Sequence, residues 1–213
     1  LIAIAVLHFS IWSDSFALGR RPARRYAAGV IPPFLSGQLL LSMPGIGDPR
    51  FERAAIAMCM HDEEGALGLM VSQPGDISVR DLMRQLDIDP GHTPDVPVLV
   101  GGPVEPQRGF VLHEADWEGG ATVQVGDVWA FTTTLDVLHA IAKGKGPRRW
   151  RACLGYTGWG AGQLDGELTR HGWHIAPGDA ALVFGCATDA IWARAFGEQG
   201  INVGALSGQA GRA

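Results

Sequence analysis

The sequence is poor in the patterns that announce chemistry. Its 213 residues hold three cysteines, Cys59, Cys153 and Cys186. They are too few and too widely spaced for a disulfide framework or for the paired Cys-x-x-Cys ligands of a zinc site. Three thiols in a reducing cytosol is the simple reading. There is no Gly-x-x-x-x-Gly-Lys-Ser/Thr phosphate loop and no Gly-x-Gly-x-x-Gly with an acidic partner downstream. A Gly-x-Ser-x-Gly elbow and a His-Glu-x-x-His pair are also missing. These gaps exclude the commonest motif-borne nucleotide, hydrolase and metalloprotease chemistries. Helix-turn-helix, zinc-finger and RNP signatures are absent too. The apolar run over residues 1–12 is broken by His8 and Ser10. It falls short of the ~20 residues a membrane-spanning helix needs. Its arginines follow it, the reverse of signal-peptide order.

What is present suits a folded domain. Hydrophobic residues make up 46% and charged residues 18% of the chain, enough to bury a core and too apolar for disorder. The 30 glycines are about twice the usual ~7% share. They follow no period, so they imply many tight turns between short elements. Charge is distributed unevenly. Arg20, Arg21, Arg24 and Arg25 face Asp14 alone in the first 34 residues, and the remainder carries 13 basic against 21 acidic side chains. So acidic a body is a poor non-specific binder of nucleic acid or anionic membrane. Residues 1–33 read as an extension, poorly ordered or outside the natural start. Ile31-Pro32-Pro33 breaks any helix before residues 34–213 begin the domain.

Strand-length apolar runs occupy residues 38–43, 54–60, 66–72, 97–100, 109–113, 121–125, 128–132, 151–155 and 181–184, most ending at Gly, Pro or Asp. Helical spacing appears over 78–86, 134–143 (with Gly144 as C-terminal cap), 162–170 and 188–199 (with Thr188 as N-cap). Strands outnumber helices and cluster, which gives an α+β class.

Four places could carry function. Cys59-Met60-His61-Asp62-Glu63-Glu64 sets a thiol and an imidazole two residues apart on a strand. In an extended strand both point to one face, so they could share a metal or Cys/His site; the acidic run reads more simply as a solvated turn before Gly65. Gly101-Gly102-Pro103-Val104, followed by Arg108 and His113, reads as a sharp turn between strands, or as exposed backbone approached by a ligand. The stretch from Leu154 to Leu164, with Gly155, Tyr156, Trp159 and Gln163, reads as a tight strand-to-helix junction. Its ingredients resemble an anion site, but Asp165 and Glu167 would repel phosphate at the helix start, and the simpler reading is that Tyr156 and Trp159 pack across the turn while Gln163 satisfies backbone groups there. The basic run over residues 143–151, with Trp150, is a solvated loop or a nucleic-acid contact.

In their order, these segments resemble the YqgE/AlgH family. The resemblance is carried by Gly37-Gln38-Leu39-Leu40-Leu41-Ser42-Met43-Pro44 with Asp48-Pro49-Arg50-Phe51, and by Cys59-x-His61 leading to Gly65-Ala66-Leu67-Gly68-Leu69. Gly101–Val104 with Arg108–His113, Leu154–Leu164 and Ser207-Gly208-Gln209-Ala210-Gly211 complete it. Three positions depart from the family pattern. Ser72-Gln73-Pro74 replaces Asn-Lys/Arg-Pro, Thr157 replaces Ala, and Gly211-Arg212-Ala213 replaces Gly-His-Ala. The resemblance implies one compact α+β domain, with a strongly bent mixed sheet approaching a barrel and helices packed outside. It also implies a cytoplasmic bacterial protein whose family carries a transcriptional-regulator label without established catalytic residues.

The resulting expectation is a binding or regulatory protein acting indirectly on gene expression. It needs no cofactor and no metal, it has no membrane attachment, and its partner is a small molecule or a protein. The expected binding residues are Gly101, Gly102, Pro103, Arg108, His113, Gly155, Tyr156, Trp159 and Gln163. The rival readings are a small-metabolite enzyme using Cys59, His61 or His113, and direct DNA binding through 143–151.

Overall fold

Uninterrupted apolar strands require cover on both faces, and the architecture supplies it. The computed structural model describes residues 34–170 and 172–206; the expected extension at 1–33 and the tail from 207 lie outside them. β1 (Leu39–Ser42), β2 (Ala55–Asp62) and β3 (Gly65–Met70) form an antiparallel meander. Alternate residues feed two clusters. Leu39, Leu41, Ala55, Ala57 and Leu69 join one, while Leu40, Ile56, Met58 and Met70 join another with Leu35 and Trp159. This is why the strands read as continuous hydrophobic runs rather than alternating ones.

The chain continues through β4 (Pro74–Ser78), α1 (Val79–Gln85), β5 (Pro97–Val100), β6 (Val104–His113), β7 (Thr122–Val125), β8 (Trp129–Thr132), α2 (Asp136–Ala142) and β9 (Trp150–Gly160). It ends in α3 (Gln163–Thr169), β10 (Trp173–Ala176), α4 (Ala180–Gly185) and α5 (Ile191–Glu198). The strand order is β10-β1-β2-β3-β9-β6-β8-β7, with β4 paired to β5 and β5 lying parallel to β9. The sheet is therefore mixed and strongly curled, an α+β half-barrel. Strands from both ends of the order contribute to the first cluster, which also takes Leu182 and Val183 of α4 and Ile191, Ala195 and Phe196 of α5. α1 and α2 cover Val98, Val111 and Ala152 on the other side of β5, β6 and β9.

β9 organises the curl. Ala152 serves the α1/α2 cluster, Cys153 the first cluster and Trp159 the cluster beneath α3. Its neighbours change along its length, with β5 and β6 beside its first half and β3 beside its end. The change falls at Gly155, whose φ is 71°. A Cβ there would lie 2.4 Å from the Gly102 carbonyl oxygen, and one on Gly101 would lie 2.3 Å from the Gly155 oxygen. A Cβ on Gly102 would meet the Tyr156 backbone at 2.2 Å. Three glycines thus let two backbones cross in contact.

Several elements differ from the sequence expectation. The stretch from Gly155 to Gly160, expected to turn tightly, is strand; the turn is confined to Ala161 and Gly162, and Gly162 has φ 67°. Residues 181–184, expected as a strand, lie in α4, where the Asp179 side chain accepts from the Ala181 and Leu182 N–H groups. A four-residue apolar run cannot distinguish the two states by periodicity. Thr188 opens a 3-10 turn before α5 instead of capping the helix. β4 and β10 were not expected. Pro74 and Gly75 obscure the first, and His174 interrupts the apolar residues of the second.

Replacing Gly155 by Ala should combine left-handed backbone strain with a backbone clash, costing about 3 kcal/mol. The thermal midpoint should fall by ~6–12 °C. A midpoint within a degree of the parent would show that the crossing tolerates a side chain.

Candidate functional site

The expected Cys59–His61 pair is divided by a bulge. Met58 pairs with Gly68 and Met60 with Leu67, leaving Cys59 as the extra residue of β2. A bulge resets the alternation of side chains. Cys59 lies in the first cluster with Met60 packed against it. His61 sits on the other side, where its Nδ1 accepts the Leu35 N–H at 3.1 Å and its ring meets Phe34 edge-on. Burial pushes the Cys59 thiol well above its ordinary range, and it pushes Cys153 up to about 12. Neither sulfur has the exposed, cation-flanked setting of a reactive thiolate.

His113 has both ring nitrogens engaged. Its residue is fully buried at the end of β6. Nδ1 is 2.7 Å from the Glu114 carbonyl oxygen and Nε2 is 2.9 Å from Thr132 Oγ1. A carbonyl only accepts, so Nδ1 carries the proton. In the neutral ring that burial favours, Nε2 accepts from Thr132. Thr132 then accepts from Thr122 at 2.7 Å, and Thr122 accepts the Gly119 N–H at 2.9 Å. Every donor in this chain has one acceptor. It ties β6, β7 and β8 together and leaves the imidazole no nitrogen for a substrate.

The remaining expected residues fall into three settings. Gly101, Gly102 and Gly155 form the backbone crossing, with exposed Pro103 at its edge. Arg108 is mostly buried, donating to Glu105 Oε2 at 3.2 Å and lying 5.5 Å from the Phe110 ring centroid. The Tyr156 hydroxyl donates to the other oxygen of Glu105, also at 3.2 Å. Tyr156 packs against the first cluster, whereas Trp159 lies with Trp173 on the far side; the two do not pack across one turn. Instead Glu167 Oε2 accepts both indole N–H groups, from Trp159 at 3.0 Å and Trp173 at 2.8 Å. Gln163 accepts the Gly160 N–H and donates to Glu167 Oε1.

The beginning of β6, the end of β9 and the β2–β3 hairpin meet around a groove of about 340 Å³. Met60, Leu67, Val104 and Tyr156 give it an apolar floor, and Asp62 and Glu64 edge it. Trp159 also lines it. Gly158 pairs with Leu67 across the strands, and a Cβ there would come within 3.1 Å of the Tyr156 ring. The missing side chain therefore helps keep the groove open. Among the expected binding residues, Tyr156 and Trp159 line it; Gly101, Gly102, Pro103, Arg108, His113, Gly155 and Gln163 do not. Met60, Asp62, Glu64, Leu67 and Gly158 were not expected. Their sequence signal was an acidic turn between two apolar strands.

Two of the five cations in the basic run 143–151, Arg148 and Arg149, pair with carboxylates, whereas Lys143 and Lys145 are exposed. Arg149 pairs with Glu114 through Nε at 2.9 Å and also through Nη2. Arg148 lies 3.4 Å from Glu114 and 3.5 Å from Asp116. Arg151 donates to the Cys186 carbonyl at 2.6 Å and the Val183 carbonyl at 3.2 Å, closing the end of α4. Among the described residues no group of three His, Cys, Asp or Glu is placed to hold a metal ion.

A curled α+β half-barrel, with His61, His113, Cys59 and Cys153 built into its packing and a lined groove at the β2–β3 hairpin, defines the class of protein. The AlgH-like family model matches residues 39–204, and the chain belongs to that family. It is 54% identical to a UPF0301 protein of Rhizorhabdus wittichii over 184 residues, 85% of this chain and 98% of the relative. A UPF0301 protein of Novosphingobium aromaticivorans is 50% identical over 84% of this chain and 97% of its own. The solution structure of the AlgH protein from Pseudomonas aeruginosa superposes with a TM-score of 0.71 at 34% identity, covering 88% of this chain and all of that one. A Corynebacterium diphtheriae crystal structure, 18% identical with a TM-score of 0.66, covers 81% of this chain and 91% of its own; it shares the fold.

Burial lowers the pKa of both His61 and His113 below the ordinary imidazole value. Below about pH 6.5 the unfolded chain therefore binds more protons than the native one. The stability from neutral histidines is complete above that pH and is lost as pH falls through the folded values. Thermal midpoints measured from pH 7.5 to 5 should drop accordingly, and a flat profile would contradict the assignment. Thr132→Val should leave His113 Nε2 without its donor and cost about 1–3 kcal/mol. In native buffer iodoacetamide should label partly exposed Cys186 first and reach Cys59 and Cys153 only on unfolding.

Proposed function

We propose that this chain is a cytoplasmic binding protein whose effect on gene expression is indirect, exerted through the groove at Met60, Leu67, Val104, Tyr156 and Gly158. The supporting observation is that the groove joins an apolar floor to a few polar groups at its edge, as ligand sites commonly do. The committed states of His61, His113 and Cys59 favour binding over catalysis. Carboxylate pairing of Arg148 and Arg149 favours an indirect route over contact with DNA. Among the described residues no helix is long and apolar enough to cross a membrane.

Thermal-shift screening of the full chain against metabolites, nucleotides and duplex DNA tests this reading. A ligand at 100 times its Kd adds about 2.7 kcal/mol, or ~5–11 °C for a domain of this size. Gly158→Val, which fills the groove, should abolish the shift. A ligand whose shift is unchanged in Gly158→Val binds elsewhere and sinks the proposal, as would a salt-sensitive shift given by DNA alone.

A further inference from the structure

The groove has a chemistry as well as a shape. Its lining contains no cationic side chain, while Asp62 and Glu64 stand at its edge. Asp62 is held in place because Oδ1 accepts the N–H groups of Glu64 and Gly65 at 2.9 and 3.2 Å. Glu105, next to Val104, is outside the lining and is paired with Arg108 and the Tyr156 hydroxyl, so the charge at the edge is that of Asp62 and Glu64. The floor is apolar and ends on a partly exposed aromatic ring. Carboxylates around an aromatic and aliphatic floor repel anions, and they offer an ammonium or guanidinium both charge pairing and a π face.

Resting on the reading of this groove as the binding site, we infer that its ligand is a small organic cation: an amine or guanidine carried on a short apolar body. The size supports a small molecule, since about 340 Å³ lies at the lower end of the ~300–1,000 Å³ usual for ligand pockets. On the β3 side the backbone at the groove is already paired: Asp62 with Gly65, Gly65 with Gly160 and Leu67 with Gly158. The lining itself offers a ligand apolar side chains and carboxylates. Gly158 is the size gate, because any side chain at that position enters the space beside Tyr156.

The test is an amide NMR titration of the full chain with four probes: phenethylamine, agmatine, 3-phenylpropionate and 2-phenylethanol. Phenethylamine or agmatine should saturably shift the amides of Gly65, Leu67 and Gly158. The carboxylate and the alcohol should bind the same amides at least about tenfold more weakly. The double substitution Asp62→Asn with Glu64→Gln should weaken the amine by about tenfold without changing the thermal midpoint. Gly158→Val should remove the shifts. If the carboxylate or alcohol perturbs these amides as tightly as the amine, the groove stands as a site and the cationic class is overturned. A short Lys/Arg peptide binding there more tightly than the free amines would overturn the small-molecule assignment. If no probe reaches these amides, or the shifts map elsewhere, both the cationic class and the groove reading are overturned.

Discussion

Two segments of backbone share the space that one side chain would occupy, and the half-barrel depends on it. Gly101 and Gly102 arrive from β5, Gly155 interrupts β9, and none of the three has room for a Cβ. Because the chains touch there, β9 can exchange β5 for β3 as a neighbour, with β6 alongside only as far as Tyr156. Its side chains are redistributed among three clusters as a result. The inner cluster, the α1/α2 cover and the α3 cover are thus positioned by one strand, and the groove lies just beyond the point where that strand bends. Fold and groove are consequences of the same crossing.

The charged residues follow a similar economy. Glu167 gathers two indoles, Arg151 closes α4, Glu114 takes Arg149, and Glu105 joins Arg108 to Tyr156. These contacts dock elements to one another. What lies outside this arrangement is the carboxylate edge of the β2–β3 hairpin, which meets solvent over an apolar floor. Function is therefore better sought where polar groups face a recess than where histidines and cysteines occur in the sequence.

Much of the fold was legible. The apolar runs that became β1, β2, β3, β5, β7 and β8 have strand length and turn residues at their ends, and Ser78 and Gly144 mark α1 and α2 through local capping chemistry. The ordered motifs carried the family. The glycines at 101–102 and 155 signalled close approach correctly, but their partner was backbone rather than ligand, a distinction that needs three dimensions. Cys59 and His61 were misread because a bulge is invisible in a period-two pattern; it depends on how β3 registers against β2. The groove was only partly legible for the same reason. Tyr156 lay in the glycine-rich stretch, yet Met60 and Leu67 looked like ordinary core residues until the curl brought them together.

The shared acceptor at Glu167 has a further consequence. Two of the seven tryptophans end on one carboxylate oxygen, and that oxygen belongs to α3 while the indoles belong to β9 and β10. If α3 lifts, both rings lose the same negative charge at once. Indole emission responds to charge placed at the nitrogen end of the ring, so the pair forms an intrinsic optical reporter of α3 docking.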